Sequence, residues 1–198
     1  MQSIIVEAGW PIWPLLLISV IALAILFERV FSLRRSRICP AGIANQAIRI
    51  YRSGGTARDS LARLRQACLA GLVLSNILEN REKPLGEIRY QAELAGGDAA
   101  HVMGRFLPAL SMIATVAPLM GLFGTVVGMI EIFAAYQPGG TDPGQLARGI
   151  SIALYNTGFG ILIAVPAAIA HRLLRVHVDN LLAEIEQAGR SLIDQMQR

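Results

Sequence analysis

The residues that could do chemistry within the long apolar runs of this sequence are hydroxyls and one amide. They are Ser111, Thr115, Thr125, Ser151, Tyr155, Asn156 and Thr157, and the acid Glu131 follows the second run directly. Hydroxyl and amide groups order water and relay hydrogen bonds, but they do not take and hold a proton near neutral pH. If protons cross here, we expect the titratable carboxylate to come from another protein, most plausibly from a partner helix.

The sequence offers none of the residue patterns that define common enzyme sites. No nucleophile is spaced with a base and an orienting group, and no phosphate loop, metal-ligand spacing or dinucleotide-binding glycine pattern occurs. We interpret Cys39 and Cys68 as inert thiols, and His101, His171 and His177 as structural or interfacial residues. The sequence therefore predicts a protein that is not an enzyme and that uses no cofactor or metal.

The composition is that of an integral membrane protein. Hydrophobic residues make up 54% of the chain, charged residues only 16%, and the mean hydropathy is +0.49, whereas soluble proteins carry about 25% charge. Residues 8–27, 106–130 and 149–170 contain no charge. At about 1.5 Å per residue, each of these runs is long enough to cross a bilayer as a helix. The predicted fold class is an all-α membrane protein with three transmembrane helices.

The distribution of basic residues predicts the orientation of the chain. None precedes Arg29, whereas 13 lie between Arg29 and Arg105 and four follow Ala170. By the positive-inside rule this places the N-terminus in the periplasm and the C-terminus in the cytoplasm. These arginines suit anionic lipid, and they lack the interleaved aromatic residues of nucleic-acid binders. The predicted domains are a periplasmic N-terminus with the first span (1–35), a cytoplasmic helical insertion (36–105), the second span (106–134), a periplasmic hairpin (135–147), and the third span with a cytoplasmic C-terminal helix (148–198).

Periodicity predicts helices outside the spans as well. Apolar residues at helical spacing indicate one amphipathic helix over residues 56–80, and another that begins after Pro84 and can bend at Gly96–Gly97. After Ala170 the apolar positions continue at the same spacing to Met196. We therefore expect the third span to continue into the cytoplasm as one long helix. Its apolar face must be covered by the insertion or by a neighbouring subunit.

Small residues form a stripe along the second span and another along the third. Such stripes let another helix backbone come close. Pro118 and Pro166 lie within these spans and free a carbonyl each, which a threonine hydroxyl could satisfy as a purely structural role. We predict that the small residues pack against other helices, either this chain's other spans or a partner's, and that three polar residues form a shared polar lining. The predicted packing residues are Ala117, Gly121, Gly128, Ala153, Gly160 and Ala164, and the predicted lining residues are Thr125, Asn156 and Thr157.

Two segments, APLMGLFGTVVGMIEIF and LARGISIALYNTGFGILIAVPAAIAH, resemble the MotA/TolQ/ExbB proton-channel family, most closely its ExbB/TolQ branch. The resemblance covers roughly residues 105–172. It implies a homopentamer in the bacterial inner membrane that encloses helices of an ExbD- or TolR-like single-span partner with a membrane aspartate. It also implies that the proton gradient drives outer-membrane uptake or envelope maintenance through a TonB-like or a Pal/TolA-like envelope protein.

Residue by residue, the resemblance implies that Thr125 and Thr157 are the pore threonines, and Pro118 and Pro166 the helix-kinking prolines of this family. One position departs from it, because Ile152 stands where ExbB and TolQ proteins commonly carry a glutamate. A scaffold that assembles a single-span partner and conducts nothing therefore stays open as an alternative. A channel for a small solute is a third possibility, which the absence of a charged lining disfavours.

Overall fold

In the computed structural model, residues 8–53, 58–134 and 143–197 are described, and they contain helices but no strand. The helices are α1 (Ile12–Ser32), α2 (Arg35–Ile38), α3 (Ile43–Arg52), α4 (Arg58–Ala67), α5 (Leu69–Glu79), α6 (Leu85–Gly104), α7 (Leu107–Ala134) and α8 (Pro143–Met196). The predicted hairpin over residues 135–147 and the break at Gly54–Gly55 fall largely or wholly outside the described residues.

Within the part of the chain that the structure describes, three helical stretches are long and apolar enough to cross a membrane. They are α1, the stretch Leu85–Ala134 that contains α6 and α7, and α8. The predicted fold class is therefore confirmed. The long third helix is confirmed as well, since α8 runs without interruption for 54 residues and carries both the third apolar run and the C-terminal segment. The first helix begins at Ile12 rather than Ala8 because Gly9, with φ of 72°, turns the chain just before it.

The chain divides into two compact units. The first comprises residues 1–28 and 106–173 and holds most of α1, all of α7 and the first part of α8. Its buried apolar residues include Ile12, Leu15, Leu110, Ile152 and Ala164. Three helices thus share one apolar core in this unit.

The second unit comprises residues 29–105 and 174–198. Its core surrounds α5, where Leu74, Ile77 and Leu78 are completely buried. The C-terminal part of α8 contributes Leu181 and Ile185 to the same unit, both at most 2% exposed. The apolar face that the sequence predicts after Ala170 is therefore covered within the unit that contains the insertion.

The prediction of a single helix over residues 56–80 is wrong, because Cys68 separates α4 from α5. Its backbone is extended, with φ of −170° and ψ of 172°, and its Sγ accepts a hydrogen bond from the Gly71 N–H at 3.2 Å. Cys68 thus caps the N-terminus of α5. The bend proposed at Gly96–Gly97 does not interrupt α6, which is helical from Leu85 to Gly104.

Both thiols lie in this second unit and are half-buried. Burial raises the pKa of Cys68, although hydrogen bonds from Gly71 and Ala70 oppose the rise. Burial also raises the pKa of Cys39, and Glu184 and Cys68 act in the same direction. Thiols with raised pKa values stay protonated at neutral pH and react slowly, which agrees with their interpretation as inert.

Arg29 is a buried charge, with 5% of its surface exposed. Its guanidinium donates hydrogen bonds to the carbonyls of Met103, at 3.1 Å, and of Val102, at 3.5 Å. These carbonyls belong to the last turn of α6. Carbonyls in the last turn of a helix receive no hydrogen bond from within the helix, and they form the negative end of its dipole. Arg29 therefore fastens the end of α6 to the segment that follows the first apolar run.

Replacing Arg29 with methionine should lower the free energy of unfolding by about 1.5–3 kcal/mol, the range for hydrogen bonds that involve a charged group. The exposed Arg37 provides the matched control, since Arg37→Met should change stability by less than about 0.5 kcal/mol. Denaturation of the purified protein in mixed detergent micelles measures both. Equal effects of the two substitutions would contradict the anchoring role of Arg29.

Candidate functional site

Helices α7 and α8 approach each other closely through glycines. A Cβ added to Gly160 would lie 2.7 Å from the Ala117 carbonyl oxygen and 3.1 Å from the Gly121 Cα. Further along, a Cβ on Gly128 would lie 2.5 Å from the carbonyl oxygen of Gly149. Because later residues of α7 meet earlier residues of α8, the two helices are antiparallel and their backbones touch.

This contact accounts for the small residues of both stripes. Ala117, Gly121 and Gly128 of α7 are buried, and so are Gly160 and Ala164 of α8. The sixth residue of the predicted packing set, Ala153, is half-buried and faces the same contact, with its Cβ 3.3 Å from the Cβ position of Gly128. Packing within the chain thus explains why these residues are small. Their predicted contact with a partner's helices stays a prediction.

Thr125 and Thr157 are both half-buried beside this contact. The Thr157 hydroxyl donates to its own helix at the Ala153 carbonyl, at 3.0 Å, and lies 3.5 Å from the Gly121 carbonyl of α7. The Thr125 hydroxyl donates to the Leu122 carbonyl at 2.7 Å. The Thr157 hydroxyl therefore reaches across the contact to the Gly121 carbonyl. Thr125 lies one helical turn beyond Gly121.

The two threonines lie on the same side of the contact. Thr125 follows Gly121 by four residues, and Thr157 follows Ala153 by four, so each is rotated about 40° from its contact residue. In antiparallel helices that face each other, equal rotations point to the same side. Two exposed leucines lie on the same side, farther from the contact. Leu122 directly follows Gly121, and Leu154 directly follows Ala153. We call the surface formed by Leu122, Thr125, Leu154 and Thr157 the threonine flank.

The prolines do not explain the threonine hydroxyls. Pro118 lies inside α7 and Pro166 inside α8, and both helices are continuous through them. The carbonyls freed by these prolines belong to Ala114 and Leu162. Neither is among the acceptors of Thr125 or Thr157. In the described residues these two hydroxyls therefore do not satisfy the carbonyls that the prolines free.

Asn156 has no exposed surface, although the sequence predicts it as a lining residue. Its Nδ2 donates to the Ala8 carbonyl at 2.7 Å and to the Ile152 carbonyl at 2.8 Å, whereas its Oδ1 is buried without a hydrogen-bond partner among the described residues. It is rotated about 100° from Thr157 and lies on the other side of the contact line. We call this other side the asparagine flank. The start of the first span lies against it.

Ile152 occupies the same side and is 1% exposed. A Cβ on Gly9 would lie 3.5 Å from the Ile152 Cδ1, so this side chain packs under the turn that precedes α1. The position at which the resemblance expects a glutamate is thus apolar and enclosed by the chain itself.

Glu131 is exposed near the end of α7. The Trp10 ring contacts the ring of Phe123 edge to face, with centroids 5.8 Å apart. Glu131 lies eight residues beyond Phe123, which is about 12 Å further along the helix.

Among the described residues no group of histidine, cysteine and acidic side chains could hold a metal ion.

Sequence reasoning missed two participants in this arrangement: the Ala8 carbonyl, and Gly124, where an added Cβ would lie 2.6 Å from the Asn156 Cγ. Gly124 was recognisable as a small residue, but nothing local indicates which side chain fills the space that it leaves. The carbonyl of Ala8 is a backbone group and carries no signal in the residue type.

Comparison with known proteins agrees with this architecture. The model of the MotA/TolQ/ExbB proton channel family matches residues 61–187. The chain is 29% identical over 196 residues to the biopolymer transport protein exbB1 of Vibrio cholerae serotype O1, covering 94% of this chain and 84% of that protein. It is 28% identical over 181 residues to the biopolymer transport protein ExbB of Salmonella typhimurium, covering 86% and 74%. It is also 37% identical over 90 residues to the Tol-Pal system protein TolQ of Haemophilus influenzae, covering 45% and 38%.

The helices and the glycine contact define a membrane protein whose spans pack as a bundle. The chain belongs to the MotA/TolQ/ExbB proton channel family, as its sequence predicts. These findings support a subunit of an ExbB/TolQ-type complex in the bacterial inner membrane, and the family is one of transport components rather than of enzymes.

The glycine contact predicts opposite effects for two neighbouring substitutions in α8. Gly160→Ala would drive a Cβ against backbone atoms of Ala117 and Gly121 and should cost about 1–3 kcal/mol of stability. Gly158→Ala meets no atom within 4 Å and should be neutral or stabilise by up to about 1 kcal/mol. Thermal unfolding in detergent compares the two variants, and a similar midpoint for both would contradict the close approach of α7 and α8.

Proposed function

We propose that this chain is the stator subunit of a motor driven by the proton gradient. Several copies, five by resemblance, surround the membrane helices of a single-span ExbD- or TolR-like partner. The threonine flank of each copy faces those helices. The observation that carries the proposal is that the two hydroxyls share one flank while the first span packs on the other, so this chain's own first span leaves the threonine flank uncovered.

The chemistry of the flank suits an apolar helix that carries one acid. Leucines supply contact area, and the hydroxyls of Thr125 and Thr157 can donate to or accept from a carboxylic group as it gains and loses its proton. The three apolar runs of this chain carry no carboxylate. The proton would therefore be held by the partner's membrane aspartate, with the two threonines as hydrogen-bonding supports.

The orientation completes the proposal. With the N-terminus in the periplasm and the insertion and C-terminus in the cytoplasm, the basic residues of the insertion and the C-terminal segment lie inside the cell. Motion of the partner would then reach the periplasm. There it would act through a TonB-like protein on outer-membrane uptake, or through Pal/TolA-like proteins on envelope maintenance.

Replacing the threonines with valine tests the proposed lining. Thr125→Val and Thr157→Val keep shape and remove a hydroxyl, so assembly with the partner should persist. Proton flux into liposomes that contain the whole complex should fall about tenfold in each variant, as expected when a hydrogen bond of about 1.4 kcal/mol is lost from the transfer barrier.

Ser151→Ala is the matched control. Ser151 lies nine residues before Gly160, on the opposite face of α8, and its hydroxyl donates to the Ala147 carbonyl at 2.9 Å. Flux should be unchanged in this variant. Wild-type flux in both valine variants would contradict the lining role, and no flux from the complete wild-type complex under a proton gradient would favour the non-conducting scaffold.

Glu131 should matter little to the proton path. It is exposed near the end of α7 and lies six residues, or about 9 Å, beyond Thr125 along the helix. We therefore expect Glu131→Gln to keep most of the wild-type flux in the liposome assay. Complete loss of flux in a normally assembled Glu131→Gln complex would place this acid on the path instead.

A further inference from the structure

We propose that Asn156 is a positioning residue that joins the three spans and stays off the proton path. The proposal rests on the proposed function in one respect, since it takes the threonine flank as the path. It removes Asn156 from the lining that the sequence predicts and gives it another task. That task is to hold α8 in the rotation that presents Thr157 to the path.

The first argument is the direction of the Asn156 hydrogen bonds. Its Nδ2 donates both to Ile152 of its own helix and to Ala8, which precedes α1. The Ala8 carbonyl belongs to the turn formed by Gly9, in a completely buried position. Such a carbonyl needs a donor from within the protein, because no water competes in an apolar interior. The Asn156 amide supplies that donor and thereby fixes the start of the first span on α8.

The second argument is the fit between Asn156 and Gly124. A Cβ on Gly124 would overlap the Asn156 Cβ and would lie 2.6 Å from its Cγ. The side chain therefore fills the place that a side chain at position 124 would occupy. One residue thus contacts α7 by shape and the segment before α1 by a hydrogen bond, and neither contact involves the threonine flank.

The third argument is the Asn156 Oδ1, which has no hydrogen-bond partner among the described residues. A residue that hydrated a path would expose this acceptor to water or to the partner, yet Oδ1 is buried together with the rest of the side chain. Burying an acceptor without a donor is unfavourable. The directional hydrogen bond from Nδ2 to the Ala8 carbonyl explains why an amide stands at this position. Contact with water on a proton path does not explain it.

Thiol accessibility separates the two roles. In a chain with Cys39→Ser and Cys68→Ser, where serine can still cap α5, one adds either Asn156→Cys or the adjacent Thr157→Cys. The assembled complex is then treated with a small charged methanethiosulfonate reagent. We expect Thr157→Cys to react at least ten times faster than Asn156→Cys. Equal reaction of both overturns the positioning role, whereas failure of Thr157→Cys to react counts against the proposed lining.

A pH profile provides a second test that keeps the side-chain volume. Asn156→Asp keeps the shape of the side chain and lies off the threonine flank, so the midpoint of the pH dependence of proton flux should not move. Thr157→Asp, adjacent but on the threonine flank, should shift that midpoint. A shift produced by Asn156→Asp as large as that of Thr157→Asp overturns the proposal.

The fit with Gly124 is tested by exchanging the two residue sizes. Gly124→Ala alone should reduce the yield of assembled complex, because the new methyl group meets Asn156. Asn156→Gly alone should also reduce the yield, because it loses the hydrogen bond to Ala8. In the Asn156→Gly background, adding Gly124→Ala should cause little further loss, because the overlap is gone. A further loss as large as the one that Gly124→Ala causes in the wild-type chain overturns the fit between the two residues.

Discussion

The close approach of the α7 and α8 backbones at three glycines is the constraint on which the membrane unit depends. At Gly121, Gly128 and Gly160 the space for a Cβ is already taken by backbone atoms of the opposite helix. Lipid tails are as apolar as leucine side chains, so the hydrophobic effect does not drive helices together in a bilayer. Close van der Waals packing of this kind stabilises their association instead. A pair fitted so closely resists rotation or sliding, because either motion would bring side chains into the gap.

That fixed pair separates two sides with different tasks. One side receives the start of the first span through Ile152 and Asn156, and it is filled by this chain itself. The other side bears the hydroxyls of Thr125 and Thr157 among exposed leucines. A stator of the proposed kind needs a rigid wall that offers hydrogen bonds without titrating, and the second side has these properties. The small residues at the α7–α8 contact make that wall rigid, and their contact with a partner's helices stays a prediction.

The sequence predicts the helices and the close packing of spans through the small-residue stripes, but it does not predict which individual residues meet. The three apolar runs and the periodicity that continues to Met196 depend only on neighbouring residues, and the structure has the corresponding helices. The spacing of apolar residues does not predict the break at Cys68. The break depends on a single thiol that accepts a hydrogen bond from the Gly71 N–H. The prediction of Asn156 as a lining residue rests on its polarity alone. Its acceptor is a backbone carbonyl 148 residues away, which no local pattern identifies.

The lack of charge within the three apolar runs also bears on how the protein enters the membrane. An aspartate at the centre of a span adds about 2.5–3.5 kcal/mol to the cost of insertion by the translocon. This chain avoids that cost in every run, so each span can partition into lipid without waiting for a companion. In the proposed stator, synthesis of this chain can then precede that of the partner's acid-bearing helix, which would bury its charge against spans that are already inserted.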